Sequence, residues 1–447
     1  MGNRTRAAAR GSDILTLGFG TTVAMWTVGY IGRLPDFQAP SAVLLTLMLL
    51  ILAFGGFVSA RLTTGGVLAG VRTGVLSSLL NLLILGSLLA DTARGEILPS
   101  ALVWLPGSLA AGAILGALGG LLGSRGAGGC EPLVGQPLFD PDGLADRAWD
   151  AAFASVAGAA TLLLIVAGGV VTGQQAGLAV VDWPNSFGSN MFLYPLSRMT
   201  GGIYFEHSHR LIGSLVGFTT LVLAIQLWRV ENRRWVKGLA GAALAMVIIQ
   251  GILGGLRVTG HFTMSQDAAI TTPSITLAVV HGVFAQLFLS TLVALFCVTT
   301  PLWRRAVAAI HPGAGIDHGL SRILVIMVIV QLMLGAVLRH VAHGLLFHIT
   351  MATIVAGTAL FAGMRAWGEH RGQPVIPYLG RGLMVLVTTQ LVLGVLALWG
   401  TSLTTTRQAP HLLDVIFTTT HQTVGAVILT MSVMLMLWTR RLVRSQA

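Results

Sequence analysis

Three segments of the chain share the form Gln-x-x-Leu-Gly: Gln250-Gly-Ile-Leu-Gly254, Gln331-Leu-Met-Leu-Gly335 and Gln390-Leu-Val-Leu-Gly394. An internal repeat is the first organisation to look for. After each segment the chain re-enters an apolar run that carries a histidine: His281 lies 31 residues past Gln250, His348 lies 17 past Gln331, and His421 lies 31 past Gln390. A fourth re-entering run carries His209. An imidazole inside a membrane span is uncommon, faces the bundle interior and needs a partner or a metal. Two on facing helices at matching depth suit axial ligation of haem iron, one approaching each face of a flat porphyrin. The plain alternative for any one of them is a hydrogen-bonded core histidine, and four in repeat register weigh against it. Zinc or copper would need three or more ligands grouped locally, and no Cys/His/carboxylate cluster accompanies each of these histidines.

His209 sits in Phe205-Glu206-His207-Ser208-His209-Arg210. On a helix Glu206 and His209 share a face, which puts a carboxylate beside a metal ligand in an acid/base arrangement. The alternative for Glu206 is an interfacial charge paired with Arg210 or His207. His207 points away from His209 and reads as structural. Arg257 and Arg339 close two motif-bearing helices and could hold haem propionates bidentately. They equally suit terminal side chains that snorkel to the interface. His261, His340, His343 and His411 read as solvated loop residues.

The elements that must position these groups are membrane spans. Of 447 residues, 54% are hydrophobic and 10% charged, with a mean hydropathy of +0.81; a soluble protein carries about a quarter charged residues. Apolar runs of about 20 residues suffice to cross a ~30 Å hydrocarbon core. They recur at 14–32, 41–60, 66–90, 98–122, 149–172, 205–228, 238–258, 273–299, 319–339, 345–366, 381–400 and 415–438. The expected fold is an all-α polytopic membrane protein of about twelve helices, the last eight forming two pseudo-symmetric four-helix bundles around haem. The first span lacks a small-residue cleavage site and reads as retained in the membrane. The +11 net charge belongs to loops beside spans, so nucleic acid is not an expected partner and membrane lipid is. Arg4, Arg6, Arg10, the stretch Arg229 to Lys237, Arg304, Arg305, Arg365 to Arg381 and Arg440 to Arg444 fall on one side. That side is cytoplasmic by the positive-inside rule, with both termini on it and the histidines toward the external side of a plasma membrane. Cys130 and Cys297, the two cysteines, suggest neither a disulfide framework nor a zinc site.

Residues 124–148 shift to Gly, Pro and acidic types and read as a cytoplasmic linker. They separate a four-span extension, residues 1–123, from an eight-span segment that holds every histidine. Those eight divide into an N-terminal half, 149–300, and a C-terminal half, 301–447.

Over residues 149–447 the chain resembles the heme A synthase family of cytochrome oxidase assembly. The resemblance rests on Val171-Thr-Gly173, Ala176-Gly-Leu178, Asp182-Trp-Pro184, Glu206-x-x-His209-Arg210 and the ordered motifs with His281, His348 and His421. It implies that His209 and His281 hold the substrate haem O, with Glu206 at the reacting centre, and that His348 and His421 hold a haem b cofactor. The implied reaction oxidises the C8 methyl of haem O to a formyl group, through hydroxylated intermediates, giving haem A. Implied partners are haem O synthase, cytochrome oxidase assembly factors and an electron donor or acceptor, in a chain that could be a homo-oligomer. Many relatives carry a cysteine pair in an external loop, whereas residues 173–204 contain none. The extension lies outside the family pattern and reads as a packing, oligomerisation or docking module. The competing reading is a non-catalytic dihaem b-type electron carrier or a haem-binding assembly factor. A secondary transporter fits less well, because the ionisable groups sit near external helix ends rather than at midplane breaks.

Overall fold

Inside a bilayer no water is available to the main chain, so each crossing segment must satisfy its own N–H and C=O groups. A computed structural model describes residues 11–84, 86, 90–91, 96–125, 144–259, 274–404 and 410–445. Among them are twelve helices long and apolar enough to cross a membrane. In chain order they are α1 (Ser12–Gly32), α2 (Ser41–Leu62), α3 (Gly66–Ile84), α4 (Ala101–Arg125), α5 (Leu144–Gly173) and α6 (Gly201–Val230). There follow α7 (Arg234–Thr259), α8 (Ile275–Thr299), α9 (Ala314–Val341), α10 (Leu345–Glu369), α11 (Ile376–Leu403) and α12 (Leu412–Leu442). The chain is thus an all-α multi-pass membrane protein, as its composition requires. Every expected span has its helix, and the ends differ where a helix runs past its apolar stretch or stops short: α9 begins at Ala314 rather than 319, and α3 ends at Ile84 rather than 90. Residues 126–143 of the linker, Cys130 among them, and His261 lie outside the described residues.

The chain forms two compact units, Met1–Leu164 with Ala179–Leu244 and Thr299–Pro301, and Ile165–Leu178 with Ala245–Val298 and Leu302–Ala447. In the first, α4 packs along two glycine-lined faces. A Cβ on Gly116 would run into the carbonyl oxygen of Gly70 on α3, and one on Gly74 into that of Gly112; on the other face, a Cβ on Gly119 would strike the Ala53 carbonyl of α2. Helices in lipid gain no hydrophobic drive toward each other, so close main-chain approach over small residues is what holds them. Hydroxyl pairs add to it: Thr22 with Ser77 at 2.9 Å and Ser59 with Thr73 at 2.7 Å. Each is worth only about 0.6 kcal/mol in lipid, so the glycine contacts decide the arrangement.

This extension packs directly on α5 and α6. Phe19 of α1 meets Phe153 and Phe218 with ring centres 5.3 and 5.8 Å apart, and the Tyr204 hydroxyl donates to the Tyr30 carbonyl at 2.6 Å. Before α6 a hairpin pairs Asn185–Ser186 with Ser189–Asn190. Its turn residues Phe187 and Gly188 both have positive φ, the geometry a two-residue hairpin needs. The Asp182 carboxylate fixes the turn by accepting both their N–H groups, at 2.8 and 2.7 Å.

In the second unit α9 to α12 close into a four-helix ring, each packed on the next and α12 back on α9. Leu324, Leu383, Leu429 and Trp438 fill its core. Three residues join α9 to α10, made possible by the left-handed conformations of Ala342 and Gly344. The other His-bearing helices follow longer connections, and His348 lies three residues past the start of its helix where His281 and His421 lie six and nine past theirs; together these give a spacing of 17 where the other two are 31.

Replacing Gly116 with Leu should lower the stability of the purified chain by about 1–3 kcal/mol through overpacking. Gly107→Ala, on the same helix where an added Cβ meets nothing within 4 Å, should leave it within about 0.5 kcal/mol. Thermal unfolding of both variants in one detergent checks this; equal shifts would refute the close-approach account.

Candidate functional site

The repeat becomes a physical device in the second unit. Gln and Gly four residues apart lie on one helix face, and that face receives the histidine of the next helix. Gly254 lies under His281, Gly335 under His348 and Gly394 under His421; a Cβ there would come within 3.3, 3.0 and 3.2 Å of each imidazole Cε1. The glutamine grips the same residue. The Gln250 amide donates to the His281 carbonyl at 2.9 Å, and that of Gln331 to the His348 carbonyl at 3.1 Å while lying 3.1 Å from His348 Nδ1. The Gln390 amide nitrogen lies 3.4 Å from His421 Nε2. The side-chain oxygens of Gln250, Gln331 and Gln390 are all buried without a hydrogen-bond partner. A buried unpaired acceptor costs about 1–3 kcal/mol, and three in register mark a common requirement.

Two of these clasped histidines face each other. His348 on α10 and His421 on α12 have ring centres 6.3 Å apart, inclined at 69°. An imidazole nitrogen binds a metal at about 2 Å, and the ring centre lies roughly 1 Å behind it. Two rings flanking one iron therefore have centres about 6 Å apart, and the observed pair fits a bis-imidazole site.

Arg257 and Arg339 come together as well. Both line one polar cavity of about 370 Å³, with Gln175, His340, Thr404 and Asp414. Gly177 leaves space beside the Arg257 guanidinium and Gly173 beside that of Arg339. Asp414 lies 4.0 Å from Arg339 and accepts the hydroxyls of Thr401 and Thr404 at 3.2 and 2.8 Å, so the cavity holds a carboxylate as well as two cations. His340 belongs to the last turn of α9, not to a loop, and lines this cavity. His343 lies in the α9–α10 turn and His411 caps α12, accepting the Leu413 N–H at 3.2 Å. A second cavity, of about 430 Å³ beside Trp367 and Arg381, touches none of the candidate residues.

In the first unit α6 carries Glu206 and His209. Glu206 is buried, and Arg210 Nε lies 3.2 Å from its Oε1. That is the ion pair weighed from spacing. Arg210 does more than pair: its guanidinium also donates to the carbonyls of Asp182, Asn185 and Val180 at 2.7, 2.9 and 2.7 Å. The loop ahead of α6 is thereby tied to the residue that orients Glu206. His207 turns away to Ser186, with Nδ1 3.1 Å from the hydroxyl, and packs on Tyr194.

One cluster escaped the sequence. His311, Asp317 and His370 bring three ligand-type atoms within 4.8 Å of one another. Both Asp317 oxygens are already engaged, by Arg365 Nε and His370 Nε2, each at 2.9 Å. His311 Nδ1 accepts the Gly313 N–H at 3.1 Å. The group is thus an ion-paired knot joining the start of α9 to the end of α10, and Asp317 and His370, 53 positions apart, gave no local signal.

No protein-family model matches the chain. Among curated proteins it is similar to the heme A synthase of Alkalihalophilus pseudofirmus, 32% identical over 111 residues, 24% of this chain and 35% of the relative. The heme A synthase of Lysinibacillus sphaericus is 34% identical over 108 residues, 24% of this chain and 34% of that protein. That of Halalkalibacterium halodurans is 28% identical over 120 residues, 26% and 38%. The chain spans about a third of the length of the curated relatives it matches. The likeness to heme A synthases thus covers about a quarter of this chain.

Proposed function

We propose that the chain is a heme A synthase-type membrane oxidoreductase, oxidising the C8 methyl of haem O to a formyl group. The observation that carries this reading is the His348–His421 pair, 6.3 Å between ring centres, set in register with the same glutamine and glycine supports. His348 and His421 hold haem b in a C-terminal half, residues 301–447. His209 and His281 hold haem O in an N-terminal half, residues 149–300. When bound, haem b supplies one-electron transfer and haem O the methyl group to be oxidised.

The chain's own residues position and polarise. Arg257 and Arg339 bind propionates in their shared cavity, the guanidinium fork matching a carboxylate. Glu206, its direction fixed by Arg210, acts as an acid/base group or stabilises developing positive charge, and a carboxylate at a poorly solvated site acts strongly on both. The haem sites lie toward the external side and both termini are cytoplasmic, following the loop charges. Haem O is the substrate, with an electron partner, haem O synthase and oxidase assembly factors as the protein's company. The extension, packed on α6 through Tyr30 and Phe19, serves as a support for the Glu206 helix.

A second reading draws on a specific observation. Glu206 is engaged by Arg210, as a purely structural carboxylate would be, and a dihaem b-type electron carrier would need the same four histidines. Co-expression with a haem O synthase in a host lacking haem A, followed by haem extraction and chromatography, separates the two. The enzyme produces haem A, and Glu206→Ala keeps its bound haem but lowers haem A formation roughly a hundredfold or more. Unchanged haem A in that variant would remove the role given to Glu206, and only haem b with untouched haem O would favour the carrier. His348→Ala and His421→Ala should each lose the cofactor haem, read as the b-type absorbance of the purified chain; full retention in both would refute that site.

A further inference from the structure

The Gln-x-x-Leu-Gly repeat asks for more than packing, because leucine would pack as well as glutamine and would leave no orphaned polar atom. We infer that Gln250, Gln331 and Gln390 are positioning residues that accept the N–H of the iron-bound imidazole and so set its orientation and ligand strength. This inference rests on the proposed haem ligation by the clasped histidines.

A neutral imidazole has one N–H and one lone pair. When one ring nitrogen binds iron, the other carries the hydrogen and needs an acceptor, and partners of this kind fix the ring and raise its basicity. The structure supplies an acceptor at each motif. The carboxamides of Gln331 and Gln390 lie within 3.1 and 3.4 Å of a ring nitrogen, and the side-chain oxygen in all three motifs is buried with no partner. A half-turn of the carboxamide exchanges its nitrogen and oxygen and places the acceptor against the ring. The main-chain carbonyl that the amide nitrogen then leaves, at His281 or His348, keeps the N–H donor of its own helix. Glycine four residues on completes the device: without a side chain, it lets the Cε1 edge of the ring approach the motif helix, within reach of the glutamine. His209 follows a span without this motif, so the device serves three of the four histidines and distinguishes their iron sites from the His209 side.

The sign of the effect follows from the bond. An acceptor on the second nitrogen gives the imidazole imidazolate character, which favours ferric over ferrous iron. Losing it raises the midpoint potential, and a charged acceptor lowers it.

The test uses the full-length, haem-loaded protein with Gln331→Met, close in volume but without an acceptor, and Gln331→Glu, a stronger acceptor. Redox titration, ferric electron paramagnetic resonance and haem loss to a scavenger are read together. Gln331→Met should raise the potential of one haem, change its low-spin ferric signal and speed haem loss roughly ten- to a hundredfold, whereas Gln331→Glu should move the potential the opposite way and retain haem. A Gln331→Met protein with wild-type potential, spectrum and retention would overturn the inference while leaving bis-histidine ligation standing. Wild-type protein whose haem spectrum is indifferent to His348→Ala and His421→Ala would overturn both.

Discussion

Everything in this protein that bears on chemistry depends on how closely one helix can approach the next inside a medium without water. In such a medium a polar side chain must find its partner on a neighbouring helix, and the distance between axes decides whether it can. Glycine sets that distance in both parts of the chain. In α2 to α4 it lets carbonyls and Cα atoms meet directly and the result is a packed support. At Gly254, Gly335 and Gly394 the same absence of a Cβ admits an imidazole instead, and the result is a histidine held against its neighbouring helix. The two uses differ in what lies opposite: main-chain atoms of the next helix in one case, a histidine in the other.

The histidine clasp also explains why the repeat has its particular spacing. A separation of four positions puts Gln and Gly about one turn apart on a single face, so the glutamine grips the histidine from beside and the glycine makes room beneath it. Connection length is free to vary around this constraint. Three residues link α9 to α10 where the other motif helices have longer exits, yet Gln331 meets His348 as Gln250 meets His281. Register is therefore set by contact across the hairpin, not by the distance along the chain.

The architecture was legible because a membrane span is the one element whose length and composition are nearly dictated by its solvent. Twelve runs gave twelve helices, and ends moved in both directions: α6 and α9 begin earlier, at Gly201 and Ala314, and α3 ends at Ile84. The repeated motif and its histidines were legible as a pattern, but the work of the glycine was not, since what a missing Cβ accommodates is known only once the partner helix is in place. Arg210 shows the same limit more sharply. Its pairing with Glu206 follows from spacing, whereas its three other acceptors are main-chain carbonyls, which carry no residue-type signature. The knot of Asp317, Arg365 and His370 was hidden because its members come from two helices.

Arg210 also changes how Glu206 should be thought of. A carboxylate merely near a helix end would sample several rotamers, and its influence on a neighbouring group would be averaged. Here the guanidinium that holds Glu206 is itself held by Val180, Asp182 and Asn185, and Asp182 in turn fixes the Phe187–Gly188 turn. Burial makes this expensive to disturb, since a charge left without its partner in a poorly solvated place costs about 3–5 kcal/mol. The loop, the arginine and the carboxylate consequently form one mechanical piece at the end of α6, and any group that displaces the loop must also redirect Glu206. A carboxylate with so defined a direction would suit a reaction in which charge develops at one place.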